Sequence, residues 1–167
     1  MVVAAFGCAA PQRPDGGSGL LPVGAEAPNL SGKDQSGATV HLRQAIAGKL
    51  LVYFYPKDAT PGCTKEACAF RDAWQKYQQA GVRVLGVSND SVESHREFAK
   101  EQRLVFPLIA DEDGSWARAF GVSSTAGFYS RVSFLIGKSG RVEKVYEDVD
   151  PAQHADEVLR DAEALSQ

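Results

Sequence analysis

Apolar positions along this chain come in two textures. Some runs are continuously hydrophobic and strand-length; others place an apolar residue at every third or fourth position. Leu50-Leu-Val-Tyr-Phe-Tyr55 is apolar throughout, as a strand covered on both faces must be, and Val82 to Val87 reads the same way. Thr39 to Leu42 and Phe106 to Ile109 predict two shorter strands. Helical spacing lies between them. Ala67, Phe70, Trp74 and Tyr77 recur at intervals of three and four, which predicts one helix over Thr64 to Gln79, closed by Gly81. A second helix is predicted over Ser91 to Gln102, with Ser91 as its cap and Glu93, Arg96 and Glu97 on exposed turns. In a third, Gly114 to Phe120, Trp116 and Phe120 sit one turn apart and pack together. Arg131 to Ile136 and Arg141 to Tyr146 flank Gly137-Lys-Ser-Gly140 and predict a hairpin. Pro151 to Leu165 ends the chain as an amphipathic helix.

The order β-α-β-α-β-α-β-β-α implies a mixed β-sheet with helices on both faces, an α/β architecture of the thioredoxin-like kind. A chain of 167 residues is long enough to bury a core in one domain, placed here at residues 22–167. Residues 1–21 read as a disordered leader and linker, because Pro11-Gln-Arg-Pro-Asp-Gly-Gly-Ser-Gly19 offers little apolar surface. Ala5-Phe6-Gly7-Cys8 resembles a lipoprotein cleavage site, although a basic flank is missing and the apolar stretch is short. Two cellular addresses follow: cytoplasmic with an unstructured leader, or the bacterial envelope with a lipid on Cys8 if a signal peptide starts upstream. A net charge of -3 with interspersed signs argues against a nucleic-acid partner. No apolar run is long enough to predict a transmembrane span.

Three cysteines cannot staple a chain of this size, so the thiols need another explanation. Cys63 and Cys68 stand five apart. Zinc favours close Cys-x-x-Cys pairs with further ligands, whereas His41, His95 and His154 stand alone in sequence. A thioredoxin-type dithiol also needs Cys-x-x-Cys. A purely structural disulfide would close too small a loop to contribute much. Two inert buried cysteines remain the plain structural alternative. The position of Cys63 weighs against inertness. It follows a buried strand, and Thr60 as cap with Pro61 as first helical residue places it in a first helical turn. There free N-H groups and the helix dipole favour a thiolate.

These residues carry a resemblance. Pro56-Lys-Asp-Ala-Thr60-Pro-Gly-Cys63 matches the peroxiredoxin signature P-x-x-x-T-x-x-C at every defined position. With Cys68 five residues on, the segment resembles the peroxiredoxin Q, or bacterioferritin comigratory protein, subfamily. Arg131-Val-Ser-Phe-Leu-Ile136 is similar to that family's arginine-bearing strand. Residues 22 to 165 are covered. Gly137 departs from a commonly acidic position, and the segment between Gly121 and Arg131 is short, which bears on how the substrate pocket is walled.

The resemblance implies a thiol peroxidase acting on hydrogen peroxide and organic hydroperoxides. Cys63 is then the peroxidatic nucleophile and Cys68 the resolving thiol that closes a Cys63-Cys68 disulfide. Thr60 and Arg131 assist the departing oxygen, Pro56 shields the sulfur, and thioredoxin or a similar dithiol reductant recycles a monomeric enzyme. No flavin, haem or metal cofactor is implied. Thr60 as a mere cap and Arg131 as a surface charge are the plainer readings of each residue alone. Phe128 and Tyr129 either wall the pocket or pack in the core. A non-enzymatic redox sensor would use the same cysteines but turn over once.

Overall fold

The computed structural model describes residues 12–166; Cys8 and the cleavage-like motif lie outside them. The elements in chain order are β1 (Ser31–Lys33), β2 (Thr39–His41), α1 (Leu42–Ala45), β3 (Lys49–Phe54), α2 (Pro61–Asp72) and α3 (Trp74–Gln79). Then follow β4 (Val82–Ser88), α4 (Val92–Glu101), β5 (Leu108–Ala110), α5 (Ser115–Phe120) and the small hairpin β6 (Ser124–Thr125) and β7 (Phe128–Tyr129). The chain closes with β8 (Val132–Ile136), β9 (Val142–Tyr146) and α6 (His154–Ala164).

Seven strands form one sheet in the order β2-β1-β5-β4-β3-β8-β9. The continuously apolar runs occupy its centre. β3 pairs in parallel with β4 and antiparallel with β8, so its backbone groups are bonded on both edges and its side chains are covered on both faces. Alternation then assigns each side chain to a layer. Leu51, Tyr53 and Tyr55 face a core built with Phe70, Tyr77, Phe98 and Val158 from α2, α3, α4 and α6. Leu50, Val52 and Phe54 face the opposite core, with Leu42, Trp116 and Phe120 from α1 and α5. The mixed sheet with helices on both faces is the architecture expected from the pattern.

Local departures have identifiable causes. The helix predicted over Thr64 to Gln79 begins at Pro61 and is broken at Ala73, whose φ is -86° and ψ 2°. Across the break Phe70 and Trp74 both reach Phe106, at ring separations of 6.2 and 5.9 Å. Leu42, expected in a strand, opens α1 and is buried. The final helix starts at His154 rather than Pro151, because the Asp150 carbonyl accepts the N-H groups of Gln153 and His154 and holds the intervening residues in a turn. β1 carries no apolar pattern of its own. Gly32 at its centre lets the sheet and α5 close in, since a Cβ there would lie 2.6 Å from Ile109 Cγ2.

Disorder through residue 21 was the wrong expectation for residues 12–21. Arg13 donates to the carbonyls of Ser18, Gly19 and Leu20 at 3.1, 2.8 and 3.1 Å and pairs with Asp15 at 3.1 Å. One cation thus satisfies three carbonyls of a segment too polar to collapse by itself. Leu21 is buried in the second core, and its N-H donates to the Phe120 carbonyl at 2.9 Å. Gly121 makes room for this segment. Its φ is +69°, and a Cβ there would stand 1.9 Å from the Gly19 carbonyl oxygen. Replacing Gly121 by Ala should therefore cost about 1–2 kcal/mol from the left-handed backbone alone. It should also loosen residues 12–21. Urea unfolding together with limited proteolysis checks both effects.

Candidate active site

β3 delivers the chain to the sheet's carboxyl edge, where α/β proteins place their reactive loops. Beyond Tyr55, residues 56–60 form a loop and α2 begins. Thr60 occupies the cap position in an extended conformation and Pro61 the first helical position, but the Thr60 side chain does not cap the helix. Its hydroxyl instead donates to the Lys57 carbonyl at 2.9 Å, tightening the loop. The N-H groups of Gly62 and Cys63 therefore lie in a first turn that has no side-chain cap. Cys63 is buried against the α2 side of the sheet, in the cluster containing Tyr53, Tyr55 and Phe70.

Arg131 reaches this point from far along the chain. β8 pairs with β3 so that Val132 lies opposite Phe54, which sets Arg131 beside the strand's exit. Its Nη2 donates to Cys63 Sγ at 3.3 Å, and its Nη1 bonds the Glu66 carboxylate. Gly62 keeps the approach open: a Cβ there would come within 3.2 Å of Arg131 Nη2. Glu66 was not singled out from the sequence, although it stands three residues after Cys63 and so shares its helix face. It is fully buried, and its second oxygen, Oε1, has no hydrogen-bond partner among the described residues. The Tyr53 hydroxyl is likewise buried and unpartnered.

Burial dominates the electrostatics. It pushes the Glu66 carboxyl up to about 7, against the pull of the Arg131 cation and its hydrogen bond. Burial works against the Arg131 cation, but the Glu66 carboxylate and the Cys63 sulfur outweigh it and hold its pKa above the ordinary value. The guanidinium thus spans a sulfur and a carboxylate, with charge-assisted donors directed at both.

The other residues named from the sequence fall around this centre. Pro56 and Thr60 belong to the loop between β3 and α2. Cys68 lies further along α2, half-buried, and its thiol donates to Gln102 Oε1 at 3.4 Å. Both sulfurs are free thiols. Tyr129 is a core residue whose hydroxyl bonds Asp111 Oδ2 at 2.8 Å. Phe128 is exposed, with Lys57 Nζ 5.9 Å from its ring centroid. His41 is exposed. His154 is buried and bonded to Ser133 Oγ at 2.8 Å. His95, isolated in sequence, stands beside Asp58 and Asp90 in space.

Glu66 makes stability depend on pH with a definite sign. A carboxyl raised from 4.5 to about 7 on folding binds more protons folded than unfolded between those values. Its contribution therefore falls as pH rises from 4.5 to about 7 and is level above. Urea unfolding across that window should show the stability of Glu66→Gln, measured relative to the unsubstituted protein, rising with pH. A constant difference would contradict it.

Comparison with known proteins shows the family of the chain. Residues 23–145 match the AhpC/TSA family. The chain is 41% identical over 146 residues to Peroxiredoxin Bcp of Escherichia coli (strain K12), covering 83% of this chain and 94% of that one. Peroxidoxin BcpB from Mycobacterium tuberculosis superposes with a TM-score of 0.82 at 30% identity, over 87% of this chain and 98% of the other. The Xanthomonas campestris bacterioferritin comigratory protein, described for its alkyl peroxide reduction activity, superposes with a TM-score of 0.77 at 36% identity, over 83% and 92% of the two chains. A family match over most of the chain, relatives of this similarity and a thioredoxin-like fold place the chain in the AhpC/TSA family of peroxiredoxins, on its peroxiredoxin Q/Bcp branch, as a thiol-dependent peroxidase.

Proposed function

We propose that Cys63 is the peroxidatic cysteine and Cys68 the resolving one. The contact that carries this reading is Arg131 Nη2 at 3.3 Å from Cys63 Sγ, which sets a permanent cation beside one of the two thiols. The Cys63 thiolate attacks the terminal oxygen of a hydroperoxide, the O–O bond breaks, and sulfur is oxidised to a sulfenic acid while an alkoxide or hydroxide leaves and takes up a proton. Negative charge grows on the departing oxygen, so donors already aimed at the site lower the barrier. Arg131 and the first-turn N-H of Cys63 fill that role. The Thr60 hydroxyl, whose one proton goes to the Lys57 carbonyl at 2.9 Å, joins them by turning that proton from the carbonyl to the departing oxygen. Pro56 covers the sulfur. Hydrogen peroxide and organic hydroperoxides both fit this chemistry, and the alkyl peroxide activity of the Xanthomonas campestris relative supports the second class.

Cys68 then attacks the sulfenic sulfur, releasing water and forming a Cys63-Cys68 disulfide. Helix geometry constrains this step. Residues five apart in a regular helix have Cα atoms roughly 8.6 Å apart, and a disulfide tolerates at most about 7 Å. Both cysteines lie within α2. The start of α2 therefore has to unwind before the bond can close, which exposes the disulfide to a dithiol reductant of the thioredoxin type. Every residue named belongs to one chain, so a monomer suffices. Whether the address is cytoplasmic or envelope, the cycle needs a supply of reduced dithiol in that compartment.

Replacing Cys63 by Ser should abolish turnover in an assay coupled to thioredoxin, its reductase and NADPH. Replacing Cys68 should spare the first oxidation, stop recycling and leave Cys63 prone to sulfinic acid, as read by intact mass. Normal turnover without Cys63 would end the assignment.

Amide exchange should lose protection over residues 62–70 on oxidation while β3 keeps its own. Equal protection of α2 in both forms, with the disulfide confirmed by mass spectrometry, would contradict the unwinding.

A further inference from the structure

The loop between β3 and α2 has a left-handed residue that is not glycine. Ala59 has a φ of +58°, a conformation that an L side chain disfavours and that persists only where the surroundings enforce it. Asp58, immediately before it, supplies the enforcement. Its carboxylate is buried and fully engaged. Oδ1 accepts from the Tyr55 hydroxyl at 2.6 Å, and Oδ2 accepts from Ser94 Oγ at 2.8 Å and faces His95 Nδ1 at 2.7 Å. The Asp58 N-H donates to Asp90 Oδ2 at 2.9 Å; that carboxylate also accepts from Ser88 Oγ at 2.6 Å. Asp90 has its own cation in Lys57, whose Nζ lies 3.5 Å from Oδ1.

His95 is the far anchor of this set. It is fully buried in α4, and its Nε2 lies 3.0 Å from the Ile109 carbonyl in β5. A carbonyl oxygen only accepts, so Nε2 carries a proton. A second proton must bridge Nδ1 and Asp58 Oδ2, since 2.7 Å between two lone pairs is otherwise repulsive. The ring therefore ties the loop to the central sheet through two protons. Glutamine or asparagine cannot span the same two acceptors in that geometry.

We propose that His95 is a positioning residue for peroxide reduction: through Asp58 it holds the strained loop in the conformation that places Pro56 and Thr60 over Cys63. The inference rests on the reading of Cys63 as the nucleophile. A misplacement of catalytic donors by about an ångström costs on the order of a hundredfold in rate. Direct alkylation of the sulfur needs none of those donors.

The test compares two rates on the full chain in unsubstituted, His95→Gln and Cys63→Ser forms: peroxide reduction by stopped flow and alkylation of Cys63 by iodoacetamide. His95→Gln should lose about ten- to a hundredfold in the peroxide rate while its alkylation rate holds or rises as the cover over Cys63 loosens. A peroxide rate within about twofold of the unsubstituted protein, in a variant with native amide protection of β3, overturns the proposal. So does a parallel fall of both rates, which is the signature of a merely structural role. If His95→Gln does not fold, ¹⁵N NMR of the His95 ring in the unsubstituted protein decides. Protons at both Nδ1 and Nε2, or one shared with Asp58, support the tie; a bare Nδ1 overturns it. Undiminished peroxide reduction in Cys63→Ser would instead refute the reading of the nucleophile, so the two failures are distinguishable.

Discussion

The register between β3 and β8 organises the reactive centre. Tyr53 lies opposite Ser133 and Phe54 opposite Val132, so Arg131 continues the row that faces α2. Side chains alternate with a period of two, and a slip of one residue would turn the guanidinium into the apolar layer around Trp116 and Phe120. Nothing local to Arg131 prevents that slip. Phe134 and Ile136 do, because they must reach the second core while Leu135 reaches the first. Hydrophobic sorting along β8 thus sets the position of a charge just before its first residue.

That charge sits in costly surroundings. Glu66 is fully buried, with only one of its oxygens bonded among the described residues. Taking two charges out of water is repaid only by close geometry, and removing either partner of a buried pair typically costs about 3–5 kcal/mol. The arrangement contributes direction. With one nitrogen held by Glu66, the guanidinium plane has little freedom, and its other nitrogen meets the Cys63 sulfur. A lysine would carry the same charge without the fork.

The parts of this structure legible in the sequence are those with a local physical signature. β3 and β4 announced themselves by unbroken apolar runs, and Cys63 by a Thr-Pro start that puts it in a first helical turn. Arg131 had no such signal. Its place followed only from the resemblance and from the condition that its strand lie beside β3, which the pairing of β8 with β3 meets. Glu66 was missed because a glutamate on a helix ordinarily faces water, and only the tertiary packing buries it. Asp58 and His95 were missed for a related reason, being thirty-seven residues apart with no shared periodicity. Composition misled at residues 12–21, where a single arginine supplies the order that apolar surface does not.

The interruption at Ala73 has a thermodynamic consequence. Helix order is cooperative along an unbroken hydrogen-bond ladder, and starting a new segment is costly. α2 and α3 are therefore two short cooperative units. α3 has its own fastening, with Tyr77 buried in the core and its hydroxyl bonded to the Ala155 carbonyl of α6 at 2.8 Å. Fraying that enters at Pro61 meets a phase boundary at Ala73, and the free energy of opening scales with one segment instead of the whole helical stretch from Pro61 to Gln79.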